Sequence, residues 1–147
     1  MGSLKASQVA RIIVHHSASD RDTTTPADIY RWHKERGWRD IGYQYIITGD
    51  GALHFGRPET MTGAHTKGHN RTSIGVCVTG NFEKSKPTPK QWKMLCLFLE
   101  RTMQKYSLER SHVHYHKEFS ATACCGKNLI SMVEDWRAPK SSSAPDT

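Results

Sequence analysis

Nine histidines and four cysteines in 147 residues are the groups with most chemistry to offer. The densest stretch is His112-Val113-His114-Tyr115-His116, with Cys124 and Cys125 following a few residues later, just ahead of Gly126. A histidine ending a strand-like segment, then a cysteine in a glycine turn, is how a chain offers imidazole and thiolate to one metal ion. Zinc accepts both, and a catalytic zinc uses three protein ligands and keeps a fourth position for water. Two ligand types lie in this stretch, so a third must come from elsewhere. The strongest source is the other end of the chain, Ile12-Ile13-Val14-His15-His16-Ser17.

Strand geometry narrows the choice without closing it. His15 and His16 are adjacent, so a strand sends their side chains to opposite faces and only one serves a given site. His112, His114 and His116 share a face by the same period, which makes a His-x-His-x-His cluster a rival arrangement. Same-face residues on a strand lie about 7 Å apart, whereas zinc–nitrogen bonds are about 2 Å. One or at most two of the three can therefore reach one ion. Cys124 and Cys125 remain alternatives one residue apart. Cys77, inside Ser73-Ile74-Gly75-Val76-Cys77-Val78, and Cys96, inside an apolar helical pattern, read as small buried hydrophobes. The cysteines form no disulfide framework, so the pair in the polar turn reads as metal-binding or catalytic.

The elements that must position these groups alternate between strand and helix, so the expected fold class is α/β, without internal repeats. Ala10 to His16 is a β-branched, apolar run that suits a central strand. Thr25-Pro26 opens a helix, with threonine as cap and proline at the first helical position. Ile29, Trp32, His33 and Arg36 recur at helical spacing before Gly37 ends it. Tyr43 to Thr48 and Ala52 to Gly56 flank Gly49-Asp50-Gly51 as a hairpin. Met61 to Arg71 is a loop, and Thr72 to Thr79 a buried strand. Thr88-Pro89 repeats the cap signature and opens a long helix to Tyr106, with Trp92, Leu95, Leu99 and Met103 facing inward. His112 to His116 is a further strand and Asn128 to Trp136 a last helix.

Length permits one domain with one core, divided as an N-terminal extension over 1–9, a domain over 10–137 and a disordered tail over 138–147. The tail expectation rests on its Pro-, Ser- and Lys-bearing composition. Met1 to Arg11 carries only Lys5 and Arg11 as cations and no apolar segment, so it is not a secretory signal. The chain is expected to be made in a cytoplasm and to need help in reaching any outside target. No run approaches the roughly 20 apolar residues that span a bilayer, so no membrane insertion is expected. A net charge of +7 favours an anionic partner. The cations are scattered instead of blocked, and no nucleic-acid-binding spacing is present, so specific nucleic-acid binding is not expected.

Several segments together resemble a known family. They are Val14-His15-His16-Ser17-Ala18-Ser19, Trp32-His33-Lys34-Glu35-Arg36-Gly37-Trp38 and Ile41-Gly42-Tyr43-Gln44-Tyr45. They continue through Asp50-Gly51, Gly56-Arg57-Pro58, Gly63-Ala64-His65, Gly68-His69-Asn70 and Ser73-Ile74-Gly75-Val76, and close with His116 and Cys124. In this order, over about residues 10–136, they resemble the zinc-dependent N-acetylmuramoyl-L-alanine amidases, which include phage endolysins and the peptidoglycan recognition proteins of animals. The resemblance implies a central mixed sheet of about five strands flanked by about three helices, with one catalytic Zn2+ at the floor of a groove. It implies His15, His116 and Cys124 as ligands, and places the family's active-site tyrosine on Tyr43. The later active-site position, lysine in some phage enzymes and threonine in many recognition proteins, falls on Thr122. His33, His65 and Asn70 fall on substrate-binding positions in or beside the cleft.

The chain departs from the family in reading Cys124-Cys125-Gly126 where Cys-Pro-Gly is usual, which releases the φ that proline would fix. The implied reaction is hydrolysis of the amide between N-acetylmuramic acid and L-alanine in peptidoglycan. A basic monomer with neither signal nor wall-binding module resembles an endolysin of a phage of Gram-negative hosts, acting on the periplasmic wall after release. A muropeptide-recycling or antibacterial effector amidase shares these features. A non-catalytic peptidoglycan-binding module is the alternative from another class.

Overall fold

The computed structural model describes residues 2–138. Five strands form one mixed sheet: β1 (Arg11–His16), β2 (Tyr45–Ile47), β3 (Leu53–Phe55), β4 (Ser73–Val78) and β5 (Val113–Tyr115). Their spatial order is β3-β2-β4-β1-β5. β1 runs parallel to both β4 and β5, β2 runs parallel to β4, and β3 closes one edge antiparallel to β2. Three α-helices complete the domain: α1 (Pro26–Glu35), α2 (Pro89–Tyr106) and α3 (Lys127–Arg137). No helix among the described residues is long and apolar enough to cross a membrane.

Both threonine caps form as the sequence dictates. The hydroxyls of Thr25 and Thr88 accept from the amides of Asp28 and Gln91, whose side chains reach back to the threonine amides. Each reciprocal pair satisfies two amides that the first turn leaves without partners.

The central strands are buried on both faces, and the pleat sorts them. Ile12 and Val14 of β1 join Ile74, Val76 and Val78 of β4 against Leu95, Phe98, Leu99 and Met103 of α2 and Leu129 and Val133 of α3. On the opposite face Cys77 packs with Ile29 of α1, Ile41 and Ile46, edged by Trp32 and Tyr43. By the same alternation His15 shares its face with Ile13, whose register partner on β4 is Gly75.

Two expectations need correction. The His112–His116 segment is not one strand: β5 covers only Val113–Tyr115, and short 3-10 turns hold Arg110–His112 and His116–Glu118. The three histidines therefore share no strand face. The 3-10 turns form because side chains satisfy local amides: His112 Nδ1 accepts from the Glu109 amide at 2.9 Å, and Glu118 accepts from that of Tyr115 at 3.1 Å. Cys96 is half-buried, since it sits at the margin of α2's inward stripe. Residues 2–9 lie against the domain, with Leu4 buried and its amide bonded to the Thr60 carbonyl at 2.8 Å. Of the anticipated tail, 139–147 lies outside the described residues.

Candidate metal centre

His15, at the penultimate position of β1, His116, just past β5, and Cys124, in the turn before α3, converge. One ligand atom from each lies within 4.8 Å of the others. β5 pairs with β1 and carries His116 beside the end of that strand, with the His15 and His116 ring centroids 4.7 Å apart. The Cys124 turn is closed by the Lys117 amide donating to the Cys124 carbonyl at 2.7 Å. The Thr122 hydroxyl accepts from the Cys124 amide at 3.3 Å. Gly126 then passes so close to Phe82 that a Cβ would lie 2.5 Å from its carbonyl carbon, and its φ of +91° also suits glycine.

The donor set fits zinc. His15 Nδ1 stands 3.6 Å from Cys124 Sγ, and tetrahedral zinc bonds to nitrogen and sulfur place those two atoms about 3.6 Å apart. Burial, then the nearby His65, His116 and His16, holds His15 well below the usual imidazole range. Burial lowers His116 as well. Both rings are therefore neutral at pH 7, with lone pairs to donate. Burial pushes the Cys124 thiol up to about 12, even though the His16 amide, donating to Sγ at 3.2 Å, opposes the shift. A dication held between these groups would reverse that preference and stabilise the thiolate. Cys125 is fully buried and lies outside the cluster, whose sulfur is that of Cys124.

The three groups lie at one side of an open groove of about 600 Å³. Tyr43, Thr122, His33, His65 and Asn70 all line it. The Tyr43 ring is 5.0 Å from that of His15. Burial, then the Cys77 and Cys124 thiols, raises the Tyr43 phenol well above its ordinary value, so it keeps its proton. His33 accepts from the Gly42 amide through Nδ1 at 2.9 Å, which leaves a neutral ring its proton on Nε2. Asn70 Oδ1 accepts the amides of His65 and Thr66, both at 2.9 Å, and so shapes the 63–70 loop. His65 is deeply buried, and burial first, then His116 and Arg57, lowers it to about 3. Its Nδ1 lies 3.0 Å from His15 Nε2.

Arg36, Trp38, Lys67, Ser17 and Ser120 also line the groove, although nothing in the sequence reading assigned them a role. Arg36 and Trp38 sit inside a segment that carried the resemblance, which was the available signal. Lys67 had only its place in a glycine-flanked loop. No carboxylate lines the groove among the described residues, so its charge is cationic.

Comparison with known proteins agrees with this geometry. The model of the N-acetylmuramoyl-L-alanine amidase family Amidase_2 matches residues 5–127. The endolysin of Escherichia phage T7 is 38% identical over 119 residues, covering 77% of this chain and 78% of that protein. The solved N-acetylmuramoyl-L-alanine amidase LysC from Clostridium intestinale superposes with a TM-score of 0.81 at 31% identity, covering 92% of this chain and 89% of the other. Apis mellifera PGRP-SA gives 0.84 at 27%, covering 92% and 87%. With sequence matched over most of its length, and strands and helices in the same arrangement, the chain belongs to the N-acetylmuramoyl-L-alanine amidase family.

Proposed function

We propose that this peptidoglycan amidase is an endolysin that hydrolyses the amide between N-acetylmuramic acid and L-alanine, using one zinc ion held by His15, His116 and Cys124. The observation that carries the reading is the meeting of these three groups beside a groove, in a chain similar to phage endolysins over most of its length. The likeness to endolysins of phages of Escherichia and Klebsiella supports a Gram-negative wall as the target, reached after the chain leaves the cytoplasm in which it is made.

Zinc held there supplies Lewis acidity for the scissile carbonyl and for an attacking water. The chain's own residues do the rest. Two neutral imidazoles and one thiolate leave a net positive charge at the ion. Tyr43, protonated at neutral pH, donates a hydrogen bond where negative charge develops on the carbonyl oxygen. Thr122 holds the ligand turn through its hydroxyl and presents a neutral hydrogen-bonding group to the groove. Arg36 and Lys67 attract the carboxylates of the stem peptide, and Trp38, against which His33 stacks edge-on at 4.5 Å, offers an apolar wall.

The test is digestion of purified Gram-negative peptidoglycan, with mass spectrometry of the fragments, before and after removal of metal by a chelator. Free stem peptides beginning with L-alanine are expected, their release lost on chelation and restored by zinc. Undiminished release from the metal-stripped protein would falsify the zinc assignment, and binding without peptide release would leave a peptidoglycan-binding module.

A further inference from the structure

We propose that His65 is a positioning residue: the middle link of a directed hydrogen-bond chain from the Ser73 hydroxyl through the His65 ring to His15, which presents His15 Nδ1 to the metal as a lone pair. This rests on the zinc reading above, but the chain exists in the protein without metal.

The direction of each bond follows from its neighbour. Ser73 Oγ lies 2.7 Å from the His69 carbonyl, which can only accept, so the hydroxyl proton is committed there. At Ser73 Oγ the remaining capacity is to accept, and His65 Nε2 is 3.4 Å away. His65 therefore carries its proton on Nε2, and its Nδ1 is an acceptor, because a buried ring with no carboxylate beside it stays uncharged. His15 Nε2, 3.0 Å from that Nδ1, must then be the donor. With its proton on Nε2, neutral His15 has its lone pair on Nδ1, the atom facing Cys124 Sγ at 3.6 Å. Thr66 Oγ1, 3.1 Å from His65 Nδ1 and 3.3 Å from His15 Nε2, completes a triangle and can donate to the first while accepting from the second. A metal-ligating histidine is held in this way when its other ring nitrogen has a fixed acceptor.

A second, independent observation concerns space. Gly75 sits in the middle of β4, where glycine weakens a strand unless something approaches its backbone. What approaches is the His65 ring: a Cβ on Gly75 would lie 2.6 Å from His65 Cδ2 and Cγ and 2.8 Å from Nδ1. A Cβ on Gly63 would lie 2.6 Å from Cδ2 of the same ring. Two glycines thus form a slot that admits an imidazole and fixes its plane, which a residue serving only as a groove wall does not require.

The test reads the proton directly. Nitrogen-15 NMR of the metal-free protein, correlating ring nitrogens with ring protons, is expected to find His15 and His65 both protonated on Nε2. His15 protonated on Nδ1 overturns the proposal without any variant. Zinc affinity, measured by competition with a chromophoric chelator, is expected to fall about 10- to 100-fold in His65→Leu, which fills the slot without an acceptor. His65→Asn, whose carboxamide oxygen can stand near the Nδ1 position, is expected to retain most of the affinity. Wild-type affinity in a His65→Leu protein whose metal-free thermal unfolding is unchanged overturns the positioning role. A wild type that binds no zinc but shows the expected protonation overturns the zinc assignment and leaves the hydrogen-bond chain standing.

Discussion

The two faces of β1 are built from alternate residues of one six-residue strand, yet they do opposite work. Toward α2 and α3, Ile12 and Val14 enter a continuous apolar layer with Leu95, Leu99, Leu129 and Val133. Toward α1 and the groove, His15 stands among His65, His116 and Tyr43, with ring centroids 4.7 to 5.0 Å away. The first face gains from removing carbon from water, at about 25 cal/mol per Å². The second keeps imidazoles out of water, which costs stability unless each polar atom finds a partner. The other face is closed, apolar at Ile12 and Val14, and its one ring, His16, is satisfied by accepting from the Phe82 amide through Nδ1 at 3.1 Å. Stability and chemistry are therefore separable by face, and perturbations should sort accordingly.

The most severe expected break on the groove face is Cys124→Ala. Peptide release should fall to background and zinc affinity should collapse, with the thermal unfolding of the metal-free protein little changed. Full hydrolysis by this variant, measured on purified peptidoglycan, would move the ligand role to Cys125. On the apolar face, Leu99→Ala should lower unfolding free energy by about 2–5 kcal/mol, because Leu99 is fully buried between β-sheet and helix. Its activity per folded molecule, assayed well below the melting temperature, should match wild type. A drop in that specific activity would show that the faces are coupled.

Acidification is the mildest test and acts through buried histidines. Burial is the largest cause that lowers His16 and His33, each to about 4. The unfolded values lie near 6.5, so between about pH 6.5 and 4 the unfolded chain binds more protons than the folded one. Stability from these groups is present above pH 6.5 and declines as pH falls through that window. The loss should be roughly 1 kcal/mol per pH unit for each ring at most, after solvent screening. Urea unfolding of chelated protein at pH 7.5 and pH 5 checks the sign; equal or greater stability at pH 5 would contradict the burial of His16 and His33 as neutral rings.

Much of this was legible in the residues themselves. The threonine–proline caps, the Gly49-Asp50-Gly51 hairpin and the inward row of α2 depend on neighbours a few positions apart, and all appear. The strand ends were less legible. Tyr43 and Gln44 fall outside β2, though Gln44 still bonds Gly75, its amide to the carbonyl at 3.0 Å and its Oε1 to the amide at 2.8 Å. The histidines of 112–116 misled for a similar reason: local side-chain bonds to backbone curl both ends of the segment into 3-10 turns, which an alternating pattern cannot register.

The sequence by itself determined the element order and the family, because local hydrogen bonding, hydrophobic period and ordered motifs are encoded at short range. The resemblance implied His15, His116 and Cys124 as one set, but only the tertiary structure brings them within reach of one another, since parallel pairing of β1 with β5 joins residues about a hundred positions apart. Tertiary structure also fixed the place of the His65 ring. The resemblance put His65 on a substrate-binding position, and the ring both lines the groove and lies in a slot between Gly63 and Gly75 with Nδ1 facing His15. Such a slot has no sequence period. It exists because two backbones without side chains happen to face one ring, and that is a property of register and packing alone.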